Sequence, residues 1–432
     1  MQQSNKNMII VIILGMFFGV LTLFRGTDIL GISLSLVIFG AVIFSLYYFI
    51  NDRVLRNILI FAFIIRFLLA LINVYSYPLP GSTADALTFE RVAWEHAQNW
   101  QGNNVEISRG SNAFFYSKIL SFIYVIFGRI PIILHMANVI MGVLIVLYIY
   151  KSTNIISKST YTSNIAAIIT AIYPGLALNS AILLRENFIV FFATLSFYFF
   201  LQWIINNCRK RYILSIFTII ISVILHGGML PILIVYLLSL AIYSPKSKSW
   251  NLFNLKRIAI VLLSTFIGFM LLGDIVINKV PINIPLNELP DRLTKVVDSA
   301  ARDSAAYLVG YTPNTIFDII KQTPIRAIFL LLAPFPWMVN SSTHLIGLFD
   351  SLLFICILYL SFKGLGYLWR KDKVVCIILI AMLMGAITLF AWGTSNFGTG
   401  IRHRHKIVCF FIILASIGLT KFKTISKKTT LT

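Results

Sequence analysis

Apolar runs of roughly 20 residues recur along the whole chain, and nothing else in the sequence limits its fold so tightly. They fall near 8–24, 29–50, 57–76, 113–128, 131–150, 160–174, 186–205, 211–226, 228–243, 258–278, 325–339, 345–362, 374–393 and 405–420. Helices of that length match the hydrocarbon thickness of a bilayer. Backbone N–H and C=O groups in lipid must find partners inside the protein, and a helix provides them within one segment. The composition agrees: of 432 residues, 58% are hydrophobic and only 12% charged. A soluble chain carries about a quarter charged residues. Disordered, coiled-coil, collagenous and disulfide-framework classes are excluded, as is an ordinary cytosolic enzyme. The expected class is all-α: one integral membrane domain, 1–432, built as a polytopic transmembrane helix bundle.

The net charge of +21 raises the question of nucleic acid, but its distribution answers it. Basic residues gather in the short connectors between apolar runs, where they set topology and meet anionic lipid headgroups. With the N-terminus in the cytoplasm, connectors 51–56, 151–158, 206–211, 244–257, 363–373 and 421–432 share its side. Together with Lys6 they hold more than half of the 36 Lys and Arg, opposed there by Asp52 and Asp372 alone. This positive-inside pattern predicts cytoplasmic N- and C-termini, membrane lipids as partners and no nucleic acid. Lys6 precedes the run 8–24 with no small-residue cleavage site after it, so an uncleaved first span is expected. Cys208, Cys356, Cys376 and Cys409 lie within or at the inner ends of apolar runs, with no CxxC metal pattern.

Simple alternation fails at two places. The segments 113–128 and 325–339, the latter ending in Pro334, Pro336 and Trp337, are expected to be re-entrant or interfacial at the outer face. About 12 full spans then remain, the first two forming an N-terminal extension over 1–56. Two outer loops are long, 77–112 and 279–323. The second is expected to carry an amphipathic helix from about 291 to 308. Long ordered loops on a rigid scaffold are where function usually sits.

Asp85 stands in ADALTFE, with Glu90 and Glu95 following. Asp85 is either a helix N-cap or a catalytic base facing a cavity. Five residues apart on a helix, Asp85 and Glu90 point away from each other and form no tight acid pair. Arg66, deep in FAFIIRFLLALI, reads as an intramembrane functional residue or as one half of a buried ion pair. In YPGLALNSAILLRENF, Arg185 offers a planar fork to a phosphate, while Glu186 complements the dipole of the helix it opens. His226, in ILHGGMLP, reads as a satisfied structural histidine at a helix turn. The outer loop GTSNFGTGIRHRHK brings Arg402, His403, Arg404, His405 and Lys406 together, against the charge rule of the other loops. Such a cluster suits an anionic headgroup, either a diphosphate or bulk anionic lipid. His403 and His405 alone define no metal site, and a divalent metal is neither required nor excluded. P-loop, GxSxG and dinucleotide fingerprints are absent, so ATP hydrolysis and acyl transfer have no motif behind them.

Four stretches resemble the polytopic GT-C-type glycosyltransferases, which use polyprenyl-phosphate-linked donors. They are DALTFERVA in the first long loop, FGRIP with NVIMG, YPG with SAILLRENF, and RHRHK before the last span, in order along about 60–420. The resemblance implies that Asp85, with Glu90 near it, is catalytic, although no second acid adjoins Asp85 as in the commoner pattern. The charge growing on a leaving polyprenyl phosphate needs cations, so Arg185, Arg402, Arg404 and Lys406 are expected to hold the donor phosphate, supported by Arg66, Glu186, His226, His403 and His405. The RENF and HGG stretch also resembles O-antigen and exopolysaccharide polymerases, which likewise act on lipid-linked sugars. The expected partners are a polyprenyl-linked sugar donor and a glycan or lipid-linked acceptor at the outer face of a bacterial inner membrane. A lipid-linked sugar transporter is the rival reading, but the sequence lacks the matching broken helices of pseudo-symmetric halves.

Overall fold

A computed structural model describes residues 29–83, 85–109, 114–250, 285–301 and 303–429, with isolated positions between 255 and 262. The apolar runs 8–24 and 258–278 fall outside the described residues. Fifteen α-helices are described: α1 (Ile29–Phe49), α2 (Arg53–Leu71), α3 (Asp85–Trp100), α4 (Phe115–Phe127), α5 (Pro131–Ser157), α6 (Thr160–Ile172), α7 (Pro174–Ala181), α8 (Glu186–Asn206), α9 (Arg209–Leu225), α10 (Leu230–Ile242), α11 (Leu289–Ala300), α12 (Ile316–Leu332), α13 (Ser342–Lys371), α14 (Lys373–Trp392) and α15 (Phe397–Thr429). A two-residue hairpin, Tyr243–Ser244 with Ser249–Trp250, is the only sheet among the described residues. The all-α class is therefore as the sequence predicts.

Seven helices are long and apolar enough to cross a membrane, or eight if the bent pair α6–α7 counts as one span. Two of the expected dozen, 8–24 and 258–278, lie outside the described residues; among the rest the number is corrected to seven or eight, and there the reason is length. The runs 211–226 and 228–243 become α9, of 17 residues, and α10, of 13. At 1.5 Å per residue these reach about 25 and 20 Å, short of a hydrocarbon core of about 30 Å. Asn207 in a left-handed turn, the His226–Gly228 break and the hairpin at Tyr243 cut them off. The run 160–174 is cut too: Pro174 starts a new helix bent by 56° from α6.

The bundle has two chemically different ends. At one, Tyr150 donates to Asp52, Lys371 Nζ donates to the carbonyls of Ile156 and Ser157, and Thr162 meets Thr420. That end carries the basic connectors. At the other, α3 and α4 pack as a pair beside the start of α5. There Ser117 donates to the Phe89 carbonyl and Arg129 pairs with Glu90. The segment 113–128 is thus a 13-residue helix lying along α3. The run 325–339 supplies the turn through Pro336–Met338 and, before it, the second half of α12, which opens with a Thr315–Asp318 capping box. Its far end meets Arg404, only two turns into α15, and α13 begins where His344 packs on Phe397. So α12 enters and the chain returns at the same end. The amphipathic helix expected over 291–308 is shorter, Leu289–Ala300.

Two features draw the core together. A Cβ on Gly364 would overlap the Leu414 carbonyl, and one on Gly418 the Leu360 carbonyl, so glycine lets α13 and α15 lie backbone to backbone. The Val408–Ala415 stretch of α15 is buried on every side, walled by α8, α13 and α14.

Candidate functional site

The RHRHK string is not a loop. It lies in the second turn of α15, and this corrects the sequence reading in a way that decides each residue's role. Positions 402 and 406 differ by about 40° around a helix, whereas 402 and 404 differ by about 200°. Arg402 and Lys406 therefore share a face, and Arg404 turns to the other side.

On the first face Arg402 joins two acids from distant parts of the chain. Its Nη1 donates to Asp85 Oδ2 at 2.8 Å and its Nη2 to Glu186 Oε1 at 2.9 Å. Asp85 is the first residue of α3 and its side chain is 58% exposed; Glu186 is the first residue of α8 and is 3% exposed. Both carboxylates sit at helix N-termini, where the backbone dipole favours negative charge. Lys406 Nζ lies 3.5 Å from the same Glu186 oxygen, buried beside it. Glu186 Oε2 is buried with no hydrogen-bond partner among the described residues. Arg185 precedes Glu186, donates to the Leu225 carbonyl and sits 5.9 Å from the Phe89 ring. The group runs from solvent at Asp85 to the buried Glu186–Lys406 pair.

The turn that presents Arg185 and Glu186 is held from below. Asn138 Nδ2 donates to the carbonyls of Ile182 and Leu184, and Tyr116 donates to Asn138 Oδ1. Neither Asn138 nor Tyr116 stands out in the sequence, since each is one of several polar residues scattered in a mainly apolar helix.

His403 lies beside this face. Its ring stacks on Phe390 at 4.8 Å and Nδ1 meets Thr394 Oγ1 at 2.7 Å. His226 packs against it at 5.2 Å, and its Nδ1 accepts from the Gly228 N–H.

On the opposite face Arg404 is wholly buried. It donates to Asp350, to Ser351 and to the Leu331 and Ala333 carbonyls. His405 Nε2 meets Asp350 Oδ1 at 3.0 Å, and its Nδ1 meets Asn179 at 3.1 Å. Gly175 leaves room for that ring, which a Cβ there would overlap. This cluster ties α7, α12, α13 and α15 together. The expectation that Arg404 faces a donor phosphate is corrected: its side chain is wholly buried and both its Nη atoms are spent on Asp350, Ser351 and the two carbonyls.

Glu90 and Arg66 also move away from the expected site. Glu90 accepts from the Tyr124 hydroxyl and from Arg129 Nε and Nη2, at 2.8, 3.0 and 2.9 Å, on a part of α3 separate from Asp85. That bonding holds the Arg129 guanidinium even more firmly protonated than usual. Arg66 is buried in α2, and no carboxylate reaches it among the described residues. It donates to the carbonyls of Ala62, Thr170 and Ala171 and to Ser180. Thr170 and Ala171 belong to the last turn of α6, whose carbonyls lose their helical partners where the span breaks at Pro174. Arg66 is the cation that satisfies a broken helix end, where the dipole is negative.

Among the described residues no three His, Cys, Asp or Glu side chains converge as a metal site, and no disulfide forms. No protein-family model matches the chain, and no curated protein matches it significantly. Fold and composition together define a multi-pass helical membrane protein.

Proposed function

We propose that this protein is an integral membrane glycosyltransferase of surface polysaccharide assembly. It takes its sugar from a polyprenyl-phosphate-linked donor at the outer face of a bacterial inner membrane. The observation that carries the reading is Arg402, which holds the exposed Asp85 against the buried Glu186 at the bundle end opposite the basic connectors. By the positive-inside rule the basic end is cytoplasmic and the Asp85 end faces out.

Nucleotide sugars stay in the cytoplasm, so a donor at the outer end needs a lipid carrier. Three cations, Arg185, Arg402 and Lys406, surround two carboxylates, and that excess positive charge suits a phosphate. In the reaction the acceptor oxygen attacks the anomeric carbon as the bond to the phosphate oxygen breaks. Asp85 takes the proton of the acceptor hydroxyl, and polyprenyl phosphate leaves with the electron pair. The nearby cations stabilise the charge growing on that leaving group. One displacement inverts the anomeric centre.

Glycolipid analysis in a deletion strain tests this. Truncated repeat units that chromosomal complementation restores, and Asp85→Asn does not, are the expected result. Accumulation of complete but unpolymerised units would instead assign a polymerase. An unchanged glycolipid profile would overturn the enzyme reading.

A further inference from the structure

A second group of polar side chains lies outside that site. Arg326, in α12, is fully buried, yet of its three donor nitrogens only Nη2 is engaged, with the Tyr311 carbonyl. Nε and Nη1 have no partner among the described residues. Burial of a cation with no carboxylate bonded to it costs several kcal/mol unless something else compensates. The Trp392 ring compensates in part, its centroid 4.4 Å from the guanidinium, with Tyr311 at 6.0 Å. One turn earlier on α12, Gln322 donates Nε2 to the Thr312 carbonyl, but its Oε1 is buried and unpaired. Ser395 Oγ, in the turn between α14 and α15, is likewise buried and unpaired.

These residues belong to one locality. Tyr307 donates its N–H to the Ser395 carbonyl and its hydroxyl to the Thr394 carbonyl, while its ring packs on Phe329, three residues beyond Arg326. Trp392 donates to Thr323 on the same helix. The segment 306–311 closes over the group, pinned by those bonds and by the Ala306–Asn396 bridge.

We propose that Arg326 and Ser395, walled by Trp392 and Tyr311, form a binding site for a small anionic group, a phosphate or a carboxylate. An anion supplies acceptors to the two idle guanidinium donors and to the serine hydroxyl, and it cancels the buried charge. Entry requires the 306–311 segment to lift. The site uses no residue of the Asp85–Arg402–Glu186 chain and does not depend on the transfer reaction.

The test is thermal stabilisation of the full-length protein in nanodiscs, titrated with inorganic phosphate, glucuronate and, as neutral control, glucose, at constant ionic strength. The expected result is saturable stabilisation by phosphate or by glucuronate, and none by glucose. Response to phosphate assigns a phosphorylated ligand, and response to glucuronate an acidic sugar. Arg326→Gln should weaken the response on the order of tenfold or more, while Glu90→Gln, at a residue paired with Arg129 away from both groups, should leave it intact; phosphate held at Arg402 instead would give a response that Arg326→Gln does not move. Should Arg326→Gln not assemble, Ser395→Ala, with its small side-chain loss, provides the same comparison. Absence of any saturable response, or equal responses in wild type and in the Arg326 and Ser395 variants, overturns the proposal.

Discussion

Arg402 and Arg404 are two residues apart and differ in almost everything. Arg402 is partly exposed and reaches across to α3 and α8, while Arg404 is sealed between α12 and α13. The string RHRHK looks like a single basic patch, but the helix divides it. One face, with Arg402 and Lys406, meets Asp85 and Glu186; the other, with Arg404 and His405, meets Asp350. Charge in a sequence therefore says little until the backbone assigns it a side. The comparison also yields separable expectations, because one face should govern turnover and the other assembly.

The largest effect is expected on the assembly face. Asp350→Ala leaves Arg404 buried without its counter-charge and should destabilise the protein by about 3–5 kcal/mol. Accumulation in membranes and the melting temperature in detergent would show this. Pairing Asp350→Leu with Arg404→Met should recover much of the loss, since the double variant leaves no orphaned charge. A double variant worse than either single one would mean that the ion pair is not what holds α13 to α15.

Next comes the turnover face. Asp85→Asn should lower product formation by on the order of 10²-fold or more while the protein accumulates normally. Its 58% exposed side chain contributes little to packing, so a failure to accumulate would contradict its placement. The smallest effect is expected at Glu90. Arg129, its partner, is 48% exposed, and pairs of that kind are worth about 0–1 kcal/mol. Glu90→Gln should therefore leave transfer near wild type with a slight loss of stability. A loss of transfer as deep as that of Asp85→Asn would restore Glu90 to the catalytic role its sequence context suggests.

Much of this architecture is legible in the apolar runs, because hydropathy reports the solvent directly. Helix class and the two long polar loops follow from it. Span number does not, because α9 and α10 are apolar yet too short, and only their turns show this. The site was half legible. Asp85 and the basic string stand out as charges near the ends of apolar runs. Asp350 could have been found by the same logic, as a lone acid inside GLFDSLLF, where an intramembrane carboxylate needs a partner. That Arg66 serves carbonyls and not a carboxylate needed the coordinates, since its partners Thr170 and Ala171 lie more than 100 residues away and act through their backbone.

The most direct test places Arg402→Lys and Arg404→Lys side by side, with transfer and melting temperature measured on each. An ammonium keeps the charge but cannot span Asp85 and Glu186 as the two arms of a guanidinium do. Arg402→Lys should accordingly melt like wild type and transfer poorly. Arg404→Lys should melt lower, having lost donors to Asp350, Ser351 and two carbonyls, with the molecules that remain folded still turning over. The reverse pattern, a stable but inactive Arg404→Lys beside an unstable but active Arg402→Lys, would contradict the division of one helix into a working face and a holding face.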